Sequence, residues 1–272
     1  QPLIFGVSAL TGKQILNGLE ASKLVKENCN IPVVWGGVHA SLLPRQTLEN
    51  KYIDFTVIGE GEETFRELLF AVRQKTPLKD IRGAGYKDNG KIFINPQREF
   101  VDLNKSPDTP YRLIDVEKYI SKKSFVTGKL ARNIAFYTSR GCPHRCGFCY
   151  NQEFNKGKWR GKSAERVVSE MKYLIDNYKI NSFDIEDDEF FVDLERAERI
   201  CELIIENKLK IEIFTSCRVN YVMNMNEDYL NLLFRAGFRT LAFGVESGSE
   251  RILDLIHKDI TINQVFETIR RL

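Results

Sequence analysis

The sequence has 272 residues, of which 43% are hydrophobic and 28% are charged, and this composition is typical of a protein with a folded apolar core. Its 40 basic and 37 acidic residues nearly balance, so the charge does not indicate a nucleic-acid partner. No apolar stretch is long enough to span a membrane, and the first residues lack the pattern of a secretory signal. We therefore expect a cytoplasmic protein with no membrane partner.

Strand and helix patterns alternate in residues 1–82. Three short apolar runs are typical of buried strands, and a helical pattern follows each one: strands at residues 3–8, 31–35 and 52–58, helices at residues 11–28, 42–50 and 63–75. Such alternation predicts parallel strands with helices packed on the sheet. We therefore predict the α/β class and assign residues 1–82 to part of a doubly wound parallel sheet.

Glycine and polar residues follow each of these three strands. They are Ser8 and Thr11, then Gly36, Gly37 and His39, then Gly59 and Gly61. In doubly wound sheets, ligands bind beyond the carboxyl ends of the strands, and glycine allows close approach to the backbone. The alternative is that these residues form only tight turns and helix caps. The residues alone leave both interpretations open.

Residues 83–130 are predicted to form a hairpin and a linker. The run from Gly83 to Ile94 predicts two antiparallel strands, with Asn89 and Gly90 as the tight turn between them. Prolines at positions 96, 107 and 110 then indicate an extended segment. We predict no chemistry in this segment.

A second alternating series occupies residues 131–272. Its predicted strands lie at residues 134–139, 182–186, 211–216 and 240–244, and its predicted helices at residues 163–178, 194–208, 226–236 and 249–256, with a last helix after Thr261. This pattern predicts the amino-terminal part of a (β/α) barrel, in which active groups lie at the carboxyl ends of the strands.

Polar side chains follow three strands of this predicted barrel. They are Asp187 and Asp188, then Ser216 and Arg218, then Glu246 and Ser247. The simpler interpretations are a charge pair at a helix amino terminus for the two aspartates, and an ordinary ion pair between Arg218 and Glu246. Both alternatives stay open at this point.

One loop after the first barrel strand contains three of the six cysteines, Cys142, Cys146 and Cys149. Their spacing lets a compact loop direct three thiolates to one place, and soft thiolates bind zinc or an iron–sulfur cluster. A structural zinc ion requires four protein ligands, but His144 lies between the first two cysteines and no second ligand pair follows. The pattern therefore favours a cluster with one iron left for a small molecule.

The run Cys142-x-x-x-Cys146-x-Phe148-Cys149 resembles the signature loop of the radical S-adenosylmethionine (SAM) enzymes. The resemblance implies that the three cysteines bind a [4Fe–4S] cluster and that SAM chelates the fourth iron. It also implies that the backbone of Phe148 contacts the adenine of SAM.

The same resemblance implies SAM contacts at the polar strand ends. Asp187 and Asp188 stand where the family more commonly has Gly-Gly-Glu beside the methionine amino group, and which aspartate makes the contact stays open. Ser216 and Arg218 are implied to hold the SAM carboxylate or ribose. The resemblance further implies that Glu246 and Ser247 bind the ribose hydroxyls of SAM.

Residues 1–82, taken with the cysteine loop, resemble the cobalamin-binding domain that precedes many radical SAM domains. The resemblance covers nearly the whole chain and implies that the corrin and its nucleotide tail are surrounded by Ser8, Thr11, Gly36, Gly37, His39, Gly59 and Gly61. The Asp-x-His-x-x-Gly element that supplies a cobalt ligand in some cobalamin proteins is not in this sequence. We expect a polar contact from His39, not cobalt ligation.

The implied activity is that of a cobalamin-dependent radical SAM enzyme. A 5′-deoxyadenosyl radical would abstract hydrogen from a small-molecule or peptide substrate, and methylcobalamin would then deliver a methyl group. The electron would come from a donor such as flavodoxin or ferredoxin. The alternatives are a cyclase of the anaerobic magnesium-porphyrin ester type without methyl transfer, a SAM enzyme whose first domain is only an interaction domain, and a non-enzymatic iron–sulfur or zinc module.

The ends of the sequence predict that it is part of a longer chain. It begins at Gln1 almost directly with an apolar strand and ends at Leu272 within a helical pattern. Only four barrel strands are predicted, where the family's partial barrel has six.

Overall fold

The structure is a computed structural model that describes residues 2–124 and 127–272. The chain divides into two compact units, the first extending to Val101 and the second beginning at Asp102. Each unit contains its own five-stranded sheet. Within the described residues, no helix is both long enough and apolar enough to cross a membrane.

The sheet of the first unit has its five strands in chain order. They are β1 (Phe5–Ser8), β2 (Val33–Gly36), β3 (Phe55–Val57), β4 (Ala84–Asp88) and β5 (Lys91–Ile94). The first three strands are parallel, which confirms the predicted parallel sheet and the α/β class. The helices of this unit are α1 (Lys13–Asn28), α2 (Gly37–Leu42), α3 (Pro44–Glu49) and α4 (Glu62–Gln74).

The predicted hairpin is confirmed, and it extends the sheet of the first unit. Asn89 and Gly90 both have positive φ, 47° and 76°, as the tight turn between β4 and β5 requires. Strand β4 pairs antiparallel with β3, opposite Phe55–Val57. A Cβ on Gly85 would lie 2.3 Å from Thr56 Oγ1, so the close pairing of these strands requires glycine there. The sequence showed the hairpin but not its partner, because pairing between distant segments leaves no local pattern.

The helical region after β2 differs from the prediction of one helix at residues 42–50. The structure has two short helices, α2 and α3, separated at Leu43. Pro44 has no N–H to donate to the preceding turn and stands at the first position of α3, where proline is favoured. Helix α2 begins at Gly37, directly at the end of β2, so the Gly36-Gly37 segment is the start of a helix.

The sheet of the second unit has the strand order β12-β11-β10-β7-β6. Its strands are β6 (Ser121–Lys123), β7 (Leu130–Phe136), β10 (Ser182–Ile185), β11 (Glu212–Ser216) and β12 (Phe238–Ala242). The last four are parallel, and β6 pairs antiparallel with β7. A separate two-stranded sheet joins β8 (Ser139–Arg140) and β9 (Arg160–Gly161).

The second unit has seven helices among the described residues, and the two longest contribute buried side chains to its main core. The seven helices are α5 (Asn151–Phe154), α6 (Ala164–Tyr178), α7 (Leu194–Glu206), α8 (Val219–Val222), α9 (Glu227–Ala236), α10 (Glu250–Leu255) and α11 (Ile262–Arg271). Two helices begin with a side-chain cap: Ser163 Oγ accepts a hydrogen bond from Arg166 N at 3.2 Å, and Thr261 forms a capping box with Gln264. Gly237 ends α9 with φ 107°.

The two faces of the second sheet differ because side chains alternate along each strand. Ile134, Phe136, Phe183 and Ile185 point to the face covered by helices α6, α7 and α9 and form the main core there. The positions between them point to the opposite face, which we call the open face. It comprises Ala131, Asn133, Ala135, Ser182, Asp184, Glu212, Phe214, Ser216, Thr240 and Ala242.

The core of the first unit generates a stability prediction. A Cβ on Gly18 in α1 would lie 2.9 Å from the buried ring of Trp35, which is fixed by a 3.0 Å hydrogen bond from Nε1 to Ser22 Oγ. Alanine is favoured over glycine in a helix by about 1 kcal/mol, but overpacking costs about 1–3 kcal/mol. We expect Gly18→Ala to lower the free energy of unfolding by about 1 kcal/mol in urea titrations.

The control for this prediction is Asn17→Ala, at an exposed position of the same helix. It raises helix propensity without approaching Trp35 and should leave stability unchanged or slightly raised. Equal stabilisation by both substitutions would show that the contact with Trp35 does not restrict this position.

Candidate functional site

The cysteine loop lies between β8 and α5, beyond the carboxyl end of β7. Cys146 is buried, whereas Cys142 and Cys149 are partly exposed. Two backbone hydrogen bonds shape the loop, from Cys149 N to Cys146 O at 3.0 Å and from Gly147 N to Ile256 O at 2.8 Å. The second of these fixes the loop to the end of α10.

The donor set of this loop fits an iron–sulfur cluster. Among residues 2–124 and 127–272, no three Cys, His, Asp or Glu side chains are grouped as ligands of one metal ion. The thiolates of a four-iron cluster each bind a different iron, so they do not need to meet at one ion. Arg218 Nη1 lies 3.3 Å from Cys146 Sγ and places a positive charge beside the thiolate that a cluster requires. Burial raises the pKa of the Cys142 thiol to about 11, although a hydrogen bond from the His144 backbone and the Arg218 charge oppose that shift.

Asp188 connects the two ends of the cysteine loop. Its Oδ2 accepts a hydrogen bond from Gly141 N at 2.8 Å, directly before Cys142. Its Oδ1 accepts a hydrogen bond from Tyr150 OH at 2.9 Å, directly after Cys149. One carboxylate on the neighbouring strand end therefore holds both boundaries of the segment that contains the three cysteines.

Asp187 has a different environment from its neighbour. Its side chain is buried, and its oxygens accept hydrogen bonds from Thr138 N at 2.6 Å, from Thr138 Oγ1 and from Ser139 Oγ at 2.6 Å. Burial raises its pKa, and the hydrogen bonds oppose that shift. All of these contacts join β10 to the segment after β7, so Asp187 fixes the backbone and has no oxygen directed at a ligand. Neither aspartate forms the helix-terminus charge pair considered from the sequence.

Glu189 is a third carboxylate of this strand end, and the sequence analysis did not select it. It is 2% exposed, and burial raises its pKa to about 7 although its Oε1 accepts a hydrogen bond from Phe191 N. Its carbonyl accepts a 2.9 Å hydrogen bond from Trp159 Nε1, whose ring lies beside the Arg196 guanidinium at 5.4 Å. The signal for Glu189 in the sequence was weak because the last of four consecutive acids, Glu186–Glu189, looks like one more exposed charge.

Arg218 and Glu246 do not form the ion pair considered from the sequence. Arg218 is buried, and besides Cys146 it contacts Asn220 Oδ1 at 3.3 Å and the carbonyl oxygen of Lys258. Glu246 Oε1 instead accepts a hydrogen bond from Lys258 Nζ at 3.0 Å. Lys258 thus connects two strand ends, through its carbonyl to Arg218 and through its ammonium to Glu246.

The remaining residues predicted to bind SAM lie around the same edge of the sheet. Phe148 and Ser216 are exposed, and the Lys258 ammonium lies 5.9 Å from the centre of the Phe148 ring. Ser247 Oγ accepts a hydrogen bond from Ser249 N at 3.2 Å, within the turn that leads to α10. The structure therefore joins Cys146, Arg218, Lys258 and Glu246 in one series of contacts. Lys258 is the member of this series that sequence reasoning missed.

The glycine-rich strand ends of the first unit also come together. Because β1, β2 and β3 are adjacent and parallel, their carboxyl ends lie along one edge. Thr11 Oγ1 lies 3.1 Å from His39 Nδ1, which joins the segments after β1 and β2. Gly59 N donates a hydrogen bond to Ser41 Oγ at 2.9 Å, which joins the segments after β2 and β3.

Glycine is required at one of these strand ends by close backbone approach. Gly37 has φ 84°, and a Cβ there would lie 2.9 Å from Ser8 Oγ and 3.0 Å from Ala9 N. The chain therefore passes from β2 into α2 directly against the end of β1. Gly36 ends β2 and caps α2, and Gly61 caps α4, so both glycines stand directly before a helix.

Comparison with known proteins identifies the family of this chain. Residues 136–272 match the radical SAM superfamily model, which covers half of the chain. The chain belongs to the radical SAM superfamily. Residues 1–69 match the B12-binding domain model, so the chain joins a radical SAM domain to a cobalamin-binding domain, as the resemblance implied. The cofactors of these two domains are a [4Fe–4S] cluster with SAM and cobalamin.

Curated relatives match most of the chain. It is 36% identical to an uncharacterized methyltransferase of Pyrococcus horikoshii, over 99% of this chain and 57% of that protein. It is 29% identical to the anaerobic magnesium-protoporphyrin IX monomethyl ester cyclase of Synechocystis, over 89% of this chain and 47% of that protein. The chain thus spans about half the length of the curated relatives it matches.

A solved structure has the same fold. The cobalamin-dependent SAM radical enzyme OxsB, with aqua-cobalamin and SAM bound, superposes with a TM-score of 0.78 at 24% identity. The match covers 100% of this chain and 39% of OxsB. It confirms the predicted α/β fold with parallel-rich sheets.

The contacts of Asp188 predict that it positions the cluster ligands. Asp188→Ala removes the acceptor for both Gly141 N and Tyr150 OH, so the ends of the loop separate more freely. We expect reconstituted Asp188→Ala protein to lose its iron to a chelator about tenfold faster, a change of roughly 1.4 kcal/mol. Iron release is followed anaerobically by the loss of cluster absorption.

Tyr150→Phe removes only one of the two hydrogen bonds and should give an intermediate rate. The control is Asp228→Asn in the exposed first turn of α9, which removes one negative charge outside the cysteine loop. An iron-release rate for Asp188→Ala equal to that of the control would contradict the positioning role.

Proposed function

We propose that the protein is a cobalamin-dependent radical SAM methyltransferase. The observation that carries the proposal is the cysteine loop, fixed at both ends by Asp188 and placed beside the buried Arg218 in a chain that also has a cobalamin-binding domain. The 36% identity to a methyltransferase over 99% of the chain supports the methyl-transfer outcome.

When bound, the cofactors would supply three things: an electron to cleave SAM into methionine and a 5′-deoxyadenosyl radical, that radical to abstract hydrogen from the substrate, and a methyl group for the resulting substrate radical. The residues of this chain bind the cofactors and orient them. Cys142, Cys146 and Cys149 are the proposed cluster ligands. Arg218, adjacent to Cys146, offsets the negative charge of the thiolates and offers a cation for the SAM carboxylate.

The other strand ends hold the nucleoside part of SAM in this proposal. The backbone at Phe148 contacts adenine, and Ser216, Glu246 and Ser247 receive the ribose hydroxyls. Lys258 holds the Glu246 carboxylate at 3.0 Å and so orients it. For the methionine amino group, Asp188 is the better candidate of the two aspartates because its side chain is partly exposed, whereas Asp187 is buried.

In the first unit, the strand ends are proposed to contact cobalamin. Ser8, Thr11 and His39 offer hydrogen-bonding side chains along the edge, and Gly36, Gly37, Gly59 and Gly61 leave the backbone accessible. A small-molecule or peptide substrate and an electron donor such as flavodoxin or ferredoxin complete the proposed system.

A cyclase-type reaction without methyl transfer is the second candidate, supported by 29% identity to the magnesium-protoporphyrin ester cyclase of Synechocystis. The two reactions differ in what becomes of the methyl group of SAM. A methyltransferase would take the methyl group from a second SAM and form S-adenosylhomocysteine besides 5′-deoxyadenosine, whereas the cyclase-type reaction would form 5′-deoxyadenosine alone.

The experiment uses anaerobically reconstituted full-length protein with hydroxocobalamin, SAM and reduced flavodoxin. Retained corrin absorption after gel filtration, with both 5′-deoxyadenosine and S-adenosylhomocysteine formed, supports the methyltransferase. Deoxyadenosine with retained corrin but no S-adenosylhomocysteine supports the cyclase type. Zinc in place of iron, with no cleavage of SAM, would exclude radical SAM chemistry.

The cluster ligands are tested by single substitutions. Cys142→Ala, Cys146→Ala and Cys149→Ala should each abolish deoxyadenosine formation, because three thiolates are needed to leave one iron for SAM. Cys29→Ala, at an exposed cysteine of the first unit, should keep full iron content and activity. Iron content and deoxyadenosine are measured in the same samples, and retention of both in any of the three variants would contradict the assignment.

The cobalamin contacts are tested at Gly37. Gly37→Ala places a methyl group against Ser8 and Ala9, and we expect retained cobalamin to fall about tenfold, a loss of roughly 1.4 kcal/mol. Gly90→Ala is the matched control, because Gly90 also has positive φ, 76°, but no heavy atom lies within 4 Å of a Cβ there. Equal cobalamin retention in the two variants would mean that the edge at Gly37 does not contact the cofactor.

A further inference from the structure

A carboxylate and an amide are paired on the open face of the second sheet. Asn133 of β7 and Asp184 of β10 lie on adjacent parallel strands, since Asn133 is opposite Ser182 and Asp184 is opposite Ala135. Asn133 Nδ2 donates a hydrogen bond to Asp184 Oδ2 at 2.6 Å. Asn133 is only 4% exposed, whereas Asp184 is partly exposed. The pair is therefore set into the sheet, with the carboxylate as its more accessible member.

Both side chains of this pair keep an oxygen without a partner. Oδ1 of Asn133 and Oδ1 of Asp184 are buried, and neither accepts a hydrogen bond from any described residue. A buried acceptor left unpaired has lost its hydrogen bonds to water without a replacement, which is unfavourable. Two such acceptors on one contacting pair indicate a place for a hydrogen-bond donor that the chain itself does not provide. The terminal torsion of a carboxylate is soft, so its oxygens can turn to a ligand on the open face.

The charge of the surrounding face selects the kind of donor. At the open-face positions of β7, β10, β11 and β12, Asp184 and Glu212 are acidic and no residue is basic. Glu186, exposed directly after β10, adds a third carboxylate. Arg132 does not contribute, because its guanidinium donates to Tyr178 O and Glu117 on the other side of β7. Burial also raises the pKa of Asp184, as expected for a carboxylate that lacks a cationic partner.

We infer that Asn133 and Asp184 form a substrate-recognition site for a cationic nitrogen group, a primary ammonium or a guanidinium. Such a group donates to both unpaired oxygens, neutralises Asp184 and is attracted by Glu186 and Glu212. A substrate with an anionic group at this position would be repelled. The inference rests on the proposed function, because it takes the open face to be where the substrate of the radical reaction binds.

The test uses three probes of nearly equal shape: benzylammonium, benzyl alcohol and benzoate. Each is titrated anaerobically into reconstituted full-length protein with SAM bound, and binding is measured by ligand-observed NMR. We expect benzylammonium to bind at least about tenfold more tightly than benzoate, with benzyl alcohol between them. Equal affinities for the cation and the anion would overturn the inference.

Two substitutions assign the selectivity to this site. Asp184→Asn should remove the preference for benzylammonium, and Asn133→Ala should weaken it several-fold while leaving the carboxylate in place. The control is Asp176→Asn on the exposed surface of α6, which makes the same charge change elsewhere. If Asp184→Asn does not fold, the inference is tested by the selectivity of Asn133→Ala and by the comparison of benzylammonium with benzoate in the wild-type protein. Unchanged selectivity in Asn133→Ala would contradict the site.

Deoxyadenosine formation in the same preparations separates this inference from the proposed function. SAM cleavage without charge selection would refute the recognition site and keep the radical SAM activity. Charge-selective binding that depends on Asp184, in protein that does not cleave SAM, would keep the site and refute the proposed activity.

Discussion

Two adjacent carboxylates at the end of β10 hold the chain that leaves β7, and the arrangement of the candidate site depends on them. Asp187 binds Thr138 and Ser139 from within the protein, and Asp188 binds the residues on both sides of the cysteine segment. Both sets of contacts are possible because β7 and β10 are neighbours in parallel register, which places their carboxyl ends together. A loop of eight residues with three sulfur ligands is thereby attached to a rigid sheet.

Charge is distributed unevenly around this arrangement. The cations Arg218 and Lys258 are buried at the strand ends next to the cysteine loop, where thiolates and the carboxylate of SAM would need them. The open face has carboxylates instead. Groups suited to anions and groups suited to cations therefore lie on different parts of one unit. Each charged group acts mainly on its immediate neighbours, so the two sets do not depend on a long-range electrostatic field.

Much of the fold could be predicted from local patterns. The Asn89-Gly90 turn, the Ser163 cap and the parallel strands of both sheets each follow from residues close together in sequence. The cysteine loop was also visible, because its ligands lie within eight positions. The role of Asp187 was not, since a carboxylate that binds the backbone and one that binds a ligand have the same sequence pattern. Lys258 was missed because it joins Arg218 and Glu246 only through tertiary contacts.

The contacts between the cysteine loop and the α10 end have a consequence for biosynthesis. Gly147 is bonded to Ile256, and Arg218, which adjoins Cys146, is bonded to Lys258. The ribosome adds roughly 5–20 residues per second, so Lys258 follows Cys149 by on the order of ten seconds. The complete setting of the three cysteines is therefore available only after the end of α10 has been synthesised, because Ile256 and Lys258 supply part of it.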